Sequence, residues 1–328
     1  MGIPTVSDRI AQQVVKSYLE PKVDGSFHEN SYGYRPNKNA HQALEQVKYR
    51  CVIYKWAIDI DIRGFFDNID HELMMRAVEW YTKEKWVLIY VERWLKAGIM
   101  REGLIVSRDK GTPQGGVISP LLANIYLHFA FDMWMKNNYS NIPFERYCDD
   151  AIIHCRSECQ AKFIKDKVSE RMKECKLELN EDKTQMVYCR NNNHTEKHKQ
   201  VSFTFLGYTF RPRICHTVNG RIMLFSPCMS TSSKKEVRRK VRGIITQRFK
   251  GTIRKLAEIL NPKIRGWYQY YCKFSKWSAK ELWYWLNKRM VRWIMANKKI
   301  CKDRAYRYLK NIYINAPRLF YHWQIVRP

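Results

Sequence analysis

Two aspartates stand side by side in the segment RYCDDAIIH, Arg146 to His154. A tyrosine and a small residue precede them and an apolar run follows, so the stretch reads as two short strands joined by a tight turn at Asp149 and Asp150. Adjacent carboxylates repel, and ionising both beside buried strands costs free energy unless a positive partner arrives. A second acidic pair bears on what that partner is. In VIYKWAIDID, period-two alternation puts Val52, Tyr54, Trp56, Ile58 and Ile60 on one face of a strand and Asp59 with Asp61 on the other. Ala57 shares the second face and Gly64-Phe65-Phe66 follows at once, so these acids do not simply face solvent. With the Asp149-Asp150 hairpin as neighbour, strand ends about 4.8 Å apart would let Asp61, Asp149 and Asp150 converge. Such a group suits Mg²⁺, which takes oxygen ligands at about 2.0–2.1 Å and keeps positions for water or phosphate. Two ions about 3.5–4 Å apart would activate an attacking hydroxyl and stabilise the leaving oxygen of an in-line phosphoryl displacement, with Mn²⁺ as the substitute ion.

Charge says where a polyanion would lie. The formal net charge is +28, and residues 211–328 hold 29 Lys and Arg against 4 Asp and Glu. That stretch is +25, which leaves +3 for residues 1–210, and it contains six of the eleven tryptophans. A basic half interleaved with aromatics points to nucleic acid rather than to solubility alone. At 328 residues and 45% hydrophobic the chain can bury a sizeable core, and its length favours two domains. No apolar run approaches the roughly 18 residues of a membrane span, and MGIPTVSDR has no apolar signal core, so a soluble, cytoplasmic protein is expected. The ten cysteines include no C-x-x-C and no histidine cluster at zinc spacing, which fits reduced thiols.

Along the chain, residues 10–19 read as a helix with Ile10, Val14, Val15 and Leu19 on one stripe and Asp8 as cap. Ser119-Pro120 opens a helix to about Lys136, serine as cap, apolar nearly all round and therefore buried. A short strand to Tyr147, the aspartate turn and the strand AIIHC follow, then an amphipathic helix over 160–176 and a strand from KLELNEDKTQMVYC. This order of strand, helix, hairpin, helix, strand predicts an α+β fold, a split βαβ antiparallel sheet with helices on one face. Residues 190–202 read as a loop before FTFLGYTF. Beyond about residue 230 the pattern is wholly helical, with capping boxes expected at Ser233/Glu236 and Ser278/Glu281 and a stripe of Val237, Val241, Ile244, Ile245 and Phe249.

Eight ordered blocks carry a resemblance over nearly the whole length: GIPTVSDRIAQQ, SYGYRP, DIDIRGFFDNIDH, GTPQGGVISPLLANIYLH, RYCDD, LELNEDKT, FTFLGYTF and LNPKIRGWYQYY. In these the chain resembles the reverse transcriptases encoded by bacterial group II introns. The resemblance implies a right-hand polymerase, with partial fingers and palm over residues 1–225 and a helical, basic thumb and maturase domain over 226–328. It implies Asp61, Asp149 and Asp150 as catalytic metal ligands, joined by Ile62, which has only its main chain to offer. Phe66 would lie under the incoming sugar and disfavour a 2′-hydroxyl. Gln114 would sit near the nascent base pair, with Gly115 and Gly116 permitting close approach. Lys183 would neutralise or protonate the pyrophosphate, and Arg35 would touch template or nucleotide phosphate. Leu206, Gly207 and Tyr208 would hold the primer end, and Arg265, Trp267 and Tyr268, with Tyr270 and Tyr271, mix cations with stackable rings as irregular RNA requires.

The chain departs from that family in three places. Cys148 replaces the usual alanine between Tyr147 and Asp149, small enough to preserve packing but open to oxidation. The sequence starts at the GIPT block, without the fingers segment expected before it, and it stops at Pro328 without a cysteine/histidine endonuclease module. The implied function is an RNA-directed DNA polymerase that uses dNTPs, a DNA primer and an RNA template, and that binds intron RNA to assist splicing, in the bacterial cytoplasm and on the nucleoid when bound to DNA. The alternatives are a splicing cofactor without polymerase activity and a reverse transcriptase recruited to host defence.

Overall fold

The computed structural model describes residues 4–101, 104–106, 108–113, 115–217, 220–246 and 249–328. The chain divides into two compact units, one of residues 1–203 and 212–225, the other of 204–211 and 226–328. Residues 204–211, expected within the first domain, thus cluster with the helical unit.

The first unit begins with α1 (Val6–Val23), capped by Thr5, whose Oγ1 accepts the Asp8 amide at 3.2 Å. Its buried stripe is Gln12, Val15, Leu19 and Val23. Ile10 and Val14, expected on that stripe, are 61% and 56% exposed, because the helix runs longer and turns a different face inward. Helix α2 (Ala40–Ile53) starts at an Asn39–Gln42 capping box and buries Ala43, Leu44, Val47 and Cys51 at helical spacing. It takes in Val52, expected in a strand, and Tyr54 ends it by donating its amide to the Arg50 carbonyl at 2.8 Å. Strand β1 is therefore only Trp56–Ile60. Three helices follow, α3 (Phe65–Asn68), α4 (His71–Tyr81) and α5 (Lys85–Lys96), then the hairpin β2 (Ile99–Arg101) and β3 (Leu104–Val106).

Helix α6 (Ser119–Leu127) is buried from Leu121 to Leu127, as its all-round apolarity predicts. Ile118, not Ser119, is its cap, and the Ser119 hydroxyl instead donates to the Pro113 carbonyl at 2.8 Å. A π-helical turn over His128–Asp132 carries the chain into α7 (Met133–Asn138). Then come β4 (Phe144–Tyr147), β5 (Asp150–Cys155), α8 (Glu158–Glu174) and β6 (Gln185–Tyr188).

The sheet order is β4-β5-β1-β6, with every adjacent pair antiparallel. Trp56, Ile58 and Ile60 pair with Cys155, Ile153 and Ala151, and all six side chains enter one core with Ile164, Val168 and Met172 of α8. Asp59 points to the opposite face, whose other end α2 covers against β4 and β5. This is the split βαβ sheet of the α+β class that the element order predicts.

Strands β7 (Phe203–Phe205), β8 (Tyr208–Thr217) and β9 (Gly220–Met229) form a separate sheet. The second unit continues through α9 (Thr231–Ile244), α10 (Ile253–Tyr271), α11 (Lys280–Lys298) and α12 (Lys302–Asn315). Neither expected capping box forms. Ser230 caps α9 and Ala279 precedes α11, while the Ser233 and Ser278 hydroxyls donate to the Gly207 and Tyr271 carbonyls. The second core packs Val237 and Val241 against Leu260, Ile264, Trp283 and Leu286, and it closes around His322 and Trp323. Among the described residues no helix is long and apolar enough to cross a membrane.

Candidate active site

Tyr147 pairs with Asp150, so the hairpin between β4 and β5 turns on Cys148 and Asp149 alone. Cys148 takes a left-handed backbone, φ 59°, which for an ordinary residue costs about 1–2 kcal/mol. Arg146 holds the turn. It is 1% exposed and uses all five of its N–H groups. Nε and Nη2 grip the Asp132 carboxylate at 2.7 and 2.6 Å, Nη1 donates to the Cys148 carbonyl at 2.9 Å and Asn124 Oδ1 at 3.0 Å, and Nη2 reaches Ser31 Oγ at 2.9 Å. Asp132 lies in the π-helical turn that interrupts the helix from Ser119, where such turns recur at functional sites.

The SYGYRP block runs alongside. Tyr32 donates to the Arg146 carbonyl at 2.8 Å, Arg146 donates to the Asn30 carbonyl at 2.9 Å, and Asn124 Nδ2 donates to Gly33 at 2.7 Å. A Cβ on Gly33 would stand 2.5 Å from the Cys148 amide nitrogen, so only glycine allows this approach. The next residue, Tyr34, has φ 54° and a ring 6.2 Å from that of Tyr147. Burial, with Cys148, Tyr147, Asp149 and Asp150 nearby, pushes its phenol pKa up.

Asp61 follows β1 and is clamped by the NEDKT turn. The Asn180 amide donates to the Asp61 carbonyl at 2.8 Å, and the Asp61 amide donates to Thr184 Oγ1 at 3.3 Å. The same turn brings Lys183 Nζ to 3.5 Å from Asp61 Oδ1, with the lysine 66% exposed. Asp150 is pushed up to about 6, first by burial and then by the charges of Asp149 and Asp61, while Lys183 pulls the other way. Asp59 is pushed up to about 7, chiefly by burial, against a 3.1 Å hydrogen bond from Gln185. Four carboxyl groups therefore share one end of the sheet closely enough to feel one another.

Phe66, on α3, is half-buried against the core with its ring 5.4 Å from Phe65. Its carbonyl accepts the Thr112 amide at 2.7 Å, which ties the GTPQGG block to α3. Gln12 of α1, 2% exposed, fastens the other end of that block by accepting the Val117 amide at 2.7 Å. Gly115 has φ 108°, open only to glycine at low cost, and Gln114 lies outside the described residues.

Some expected contact residues are engaged elsewhere. Arg35 is 7% exposed at its side chain and bonds Asp24 Oδ1 at 2.7 Å and the carbonyls of Asp24, His28 and Ser31 at 2.8–2.9 Å. Its guanidinium braces the SYGYRP loop with four of its five N–H groups. Cys148 is 4% exposed, and burial beside Asp149 raises its thiol pKa far above the ordinary value, so the expected exposure to oxidation is corrected.

In the second unit Tyr208 is fully buried among Tyr270, Tyr271 and Phe274 and donates to the Tyr270 carbonyl. It anchors the Leu206-Gly207 turn and has no face free for a primer. Both turn residues have positive φ, and Tyr270 donates to the Leu206 carbonyl at 2.9 Å. Arg265 is exposed over the Tyr321 ring at 5.5 Å, while Trp267 and Tyr268 are half-buried against the helical core. The surface rings of this unit are instead Trp277 and Tyr284, 63% and 46% exposed, with Lys280 Nζ 5.0 and 5.7 Å from their centroids.

Arg146, Asp132, Asn124, Thr184 and Gln12 went unassigned in the sequence. Charges set between large apolar side chains, Glu145 and Arg146 in FERY and Asp132 in FAFDMW, were the available signal, since buried charges come in pairs. Among the described residues no three His, Cys, Asp or Glu side chains are already gathered at metal-ligand spacing. The donors nonetheless fit a hard cation, being carboxylate oxygens, with burial and then mutual repulsion raising Asp150 and a lysine at the margin.

The antiparallel sheet thus carries paired aspartates at a hairpin and a third just beyond the adjacent strand. The chain belongs to the reverse transcriptase (RNA-dependent DNA polymerase) family, which its residues 1–210 match. Residues 234–311 match the group II intron, maturase-specific domain. It is similar to protein YkfC of Escherichia coli, 30% identical over 63% of this chain and 62% of that protein. It is also similar to the group II intron-encoded protein LtrA of Lactococcus lactis, 37% identical over 42% of this chain and 23% of that one. The chain thus spans less than two thirds of either relative. Among solved structures, telomerase from Candida albicans in complex with a fragment of telomeric RNA superposes with a TM-score of 0.51 at 11% identity, covering 96% of this chain and 57% of that one. At that identity the likeness concerns the fold.

Proposed function

We propose that the chain is an RNA-directed DNA polymerase of the group II intron type, and that its helical unit binds intron RNA and assists its splicing. The observation that carries the reading is geometric: β1 and β5 are paired neighbours, Ile60 opposite Ala151, so Asp61 follows β1 at the end of the sheet where Asp149 precedes and Asp150 opens β5. In this reading residues 1–225 serve as fingers and palm and 226–328 as thumb and maturase domain, working in the cytoplasm.

The primer 3′-oxygen bonds to the α-phosphorus of a dNTP as the bond from that phosphorus to the bridging oxygen breaks. The hydroxyl proton passes to water and pyrophosphate leaves. Divalent cations held by Asp61, Asp149, Asp150 and the Ile62 carbonyl would polarise the hydroxyl and stabilise the leaving oxygen. Lys183, 3.5 Å from Asp61, meets the charge of the departing pyrophosphate. Phe66 lies against the sugar, and the tethered Thr112–Gly116 loop borders the nascent pair. Arg146 keeps the turn rigid, which matters because a 1 Å misplacement can cost on the order of a hundredfold in rate.

Primer extension on an RNA template tests the reading. Wild-type protein should extend a DNA primer with Mg²⁺, and Asp149→Ala should lower the rate by about a hundred- to a thousandfold, the order of one lost electrostatic stabiliser of the transition state. Equal extension by both proteins would refute it. For the helical unit, affinity for intron RNA should exceed affinity for an unrelated RNA at physiological salt, where purely electrostatic binding weakens. Equal affinity for the two RNAs would remove the splicing role.

A further inference from the structure

Tyr34 combines features that the polymerase reading leaves unused. Its ring is 54% exposed and its backbone sits at φ 54°, a region that bulky side chains rarely enter. The surroundings fix that conformation from both sides. Gly33 lies against the Cys148 amide with no room for a Cβ, and Arg35 spends four hydrogen bonds on the loop that leads to and from it. The outcome is an exposed ring beside Tyr147, 6.2 Å between centroids, at the rim of the Cys148-Asp149 turn. Backbone held in a sparsely populated conformation by buried supports is a mark of functional positioning. An exposed ring beside a half-buried one at a carboxylate cluster offers a stacking surface to a nucleotide.

The sheet order tells which nucleotide. Tyr147 ends edge strand β4, and Lys183 stands just before the opposite edge strand β6, with Asp150 and Asp61 on the strands between. In-line displacement puts the nucleophile opposite the leaving group. With pyrophosphate leaving on the Lys183 side, the attacking 3′-end approaches from the Tyr34 side. We propose that Tyr34, with Tyr147, stacks on the 3′-terminal nucleotide of the primer and positions it for attack. This assignment rests on the polymerase reading and names a residue that composes its primer subsite.

The test uses full-length protein and an RNA-template/DNA-primer hybrid carrying 2-aminopurine as the primer's last base, with no dNTP added. Tyr34→Asn removes the ring yet keeps a residue that accepts the left-handed backbone, and Tyr34→Phe keeps the ring. Tyr34→Asn should weaken hybrid binding on the order of tenfold and relieve the fluorescence quenching, with an unchanged unfolding midpoint. Tyr34→Phe should match wild type. Wild-type affinity and quenching in Tyr34→Asn would overturn the proposal, as would a ring effect that appears only when the probe sits in the template strand. The polymerase reading is scored apart, by extension in wild type and its loss in Asp149→Ala. Extension with ring-independent primer binding overturns the proposal alone, and failure of the wild-type chain to bind the hybrid overturns it together with the primer-binding part of that reading.

Discussion

Arg146 joins the π-helical turn at Asp132, the helix residue Asn124, the loop residue Ser31 and the Cys148 carbonyl through one guanidinium. Both ends of its ion pair are essentially without solvent, at 1% and 0% exposure. A pair so buried has already given up its hydration, and removal of one partner strands the other. Arg146→Leu should therefore cost about 3–5 kcal/mol in urea unfolding, whereas Arg146→Leu with Asp132→Leu should cost clearly less than the sum of the two single changes. Additive effects would mean that the pair is not coupled. Residue identity alone misdirected the reading of two other positions. A cation in SYGYRP and a tyrosine in FLGYTF suit phosphate and primer, but Arg35 meets Asp24 and three carbonyls, and Tyr208 meets a cage of Tyr270, Tyr271 and Phe274. Side chains able to bind nucleic acid are equally able to bind their own chain, and the choice depends on residues distant in sequence.

At the scale of elements, periodicity located the helices and strands but not their ends. Ser233-x-x-Glu236 has the capping-box spacing, yet the backbone leaves the helix at Ser230, which accepts the Ser233 amide at 3.1 Å. Ser230→Ala should destabilise the second unit by about 1 kcal/mol, whereas Glu236→Ala, at an exposed position outside any cap, should change the urea midpoint little. The reverse order would restore the expected box. Likewise VIYKWAIDID alternates perfectly in sequence, but its first residues finish α2, because Cys51 continues the stripe of Leu44 and Val47 and no strand partner reaches Val52. An alternating run beside a helix satisfies both periods for a few residues, and tertiary contacts decide the boundary.

Across the whole molecule, two buried groups give stability opposite pH dependences in the two units. His322 is fully buried, bonded through Nε2 to Asn287 Oδ1 at 2.8 Å, and burial lowers its pKa from 6.5 to about 3. Between those values the unfolded chain binds the proton and the folded one does not, so stability is full above pH 6.5 and falls as pH drops toward 3, by at most about 1.4 kcal/mol per pH unit. Asp59 works the other way. Its folded pKa of about 7 against 3.8 means that its contribution is present below pH 3.8 and is lost as pH rises toward 7. Tryptophan fluorescence in urea, followed against pH, should show the acid-side loss in the second unit, and His322→Phe should flatten it. An unchanged slope in His322→Phe would assign the loss to other groups.

The sequence by itself determined the class of the sheet, the acids that crown it and the basic helical half, because strand alternation, a paired-acid turn and charge density are properties of neighbouring residues. Only the tertiary structure decided which cations and rings are free to meet a substrate. Arg146 reaches Asp132 and Ser31, Asp61 is clamped by Asn180 and Thr184, and Gly33 is pressed against Cys148, through contacts between segments up to 123 residues apart. A buried hydrogen bond or ion pair forms wherever burial leaves a group unsatisfied, and that demand is visible only once the chain has brought the partners together.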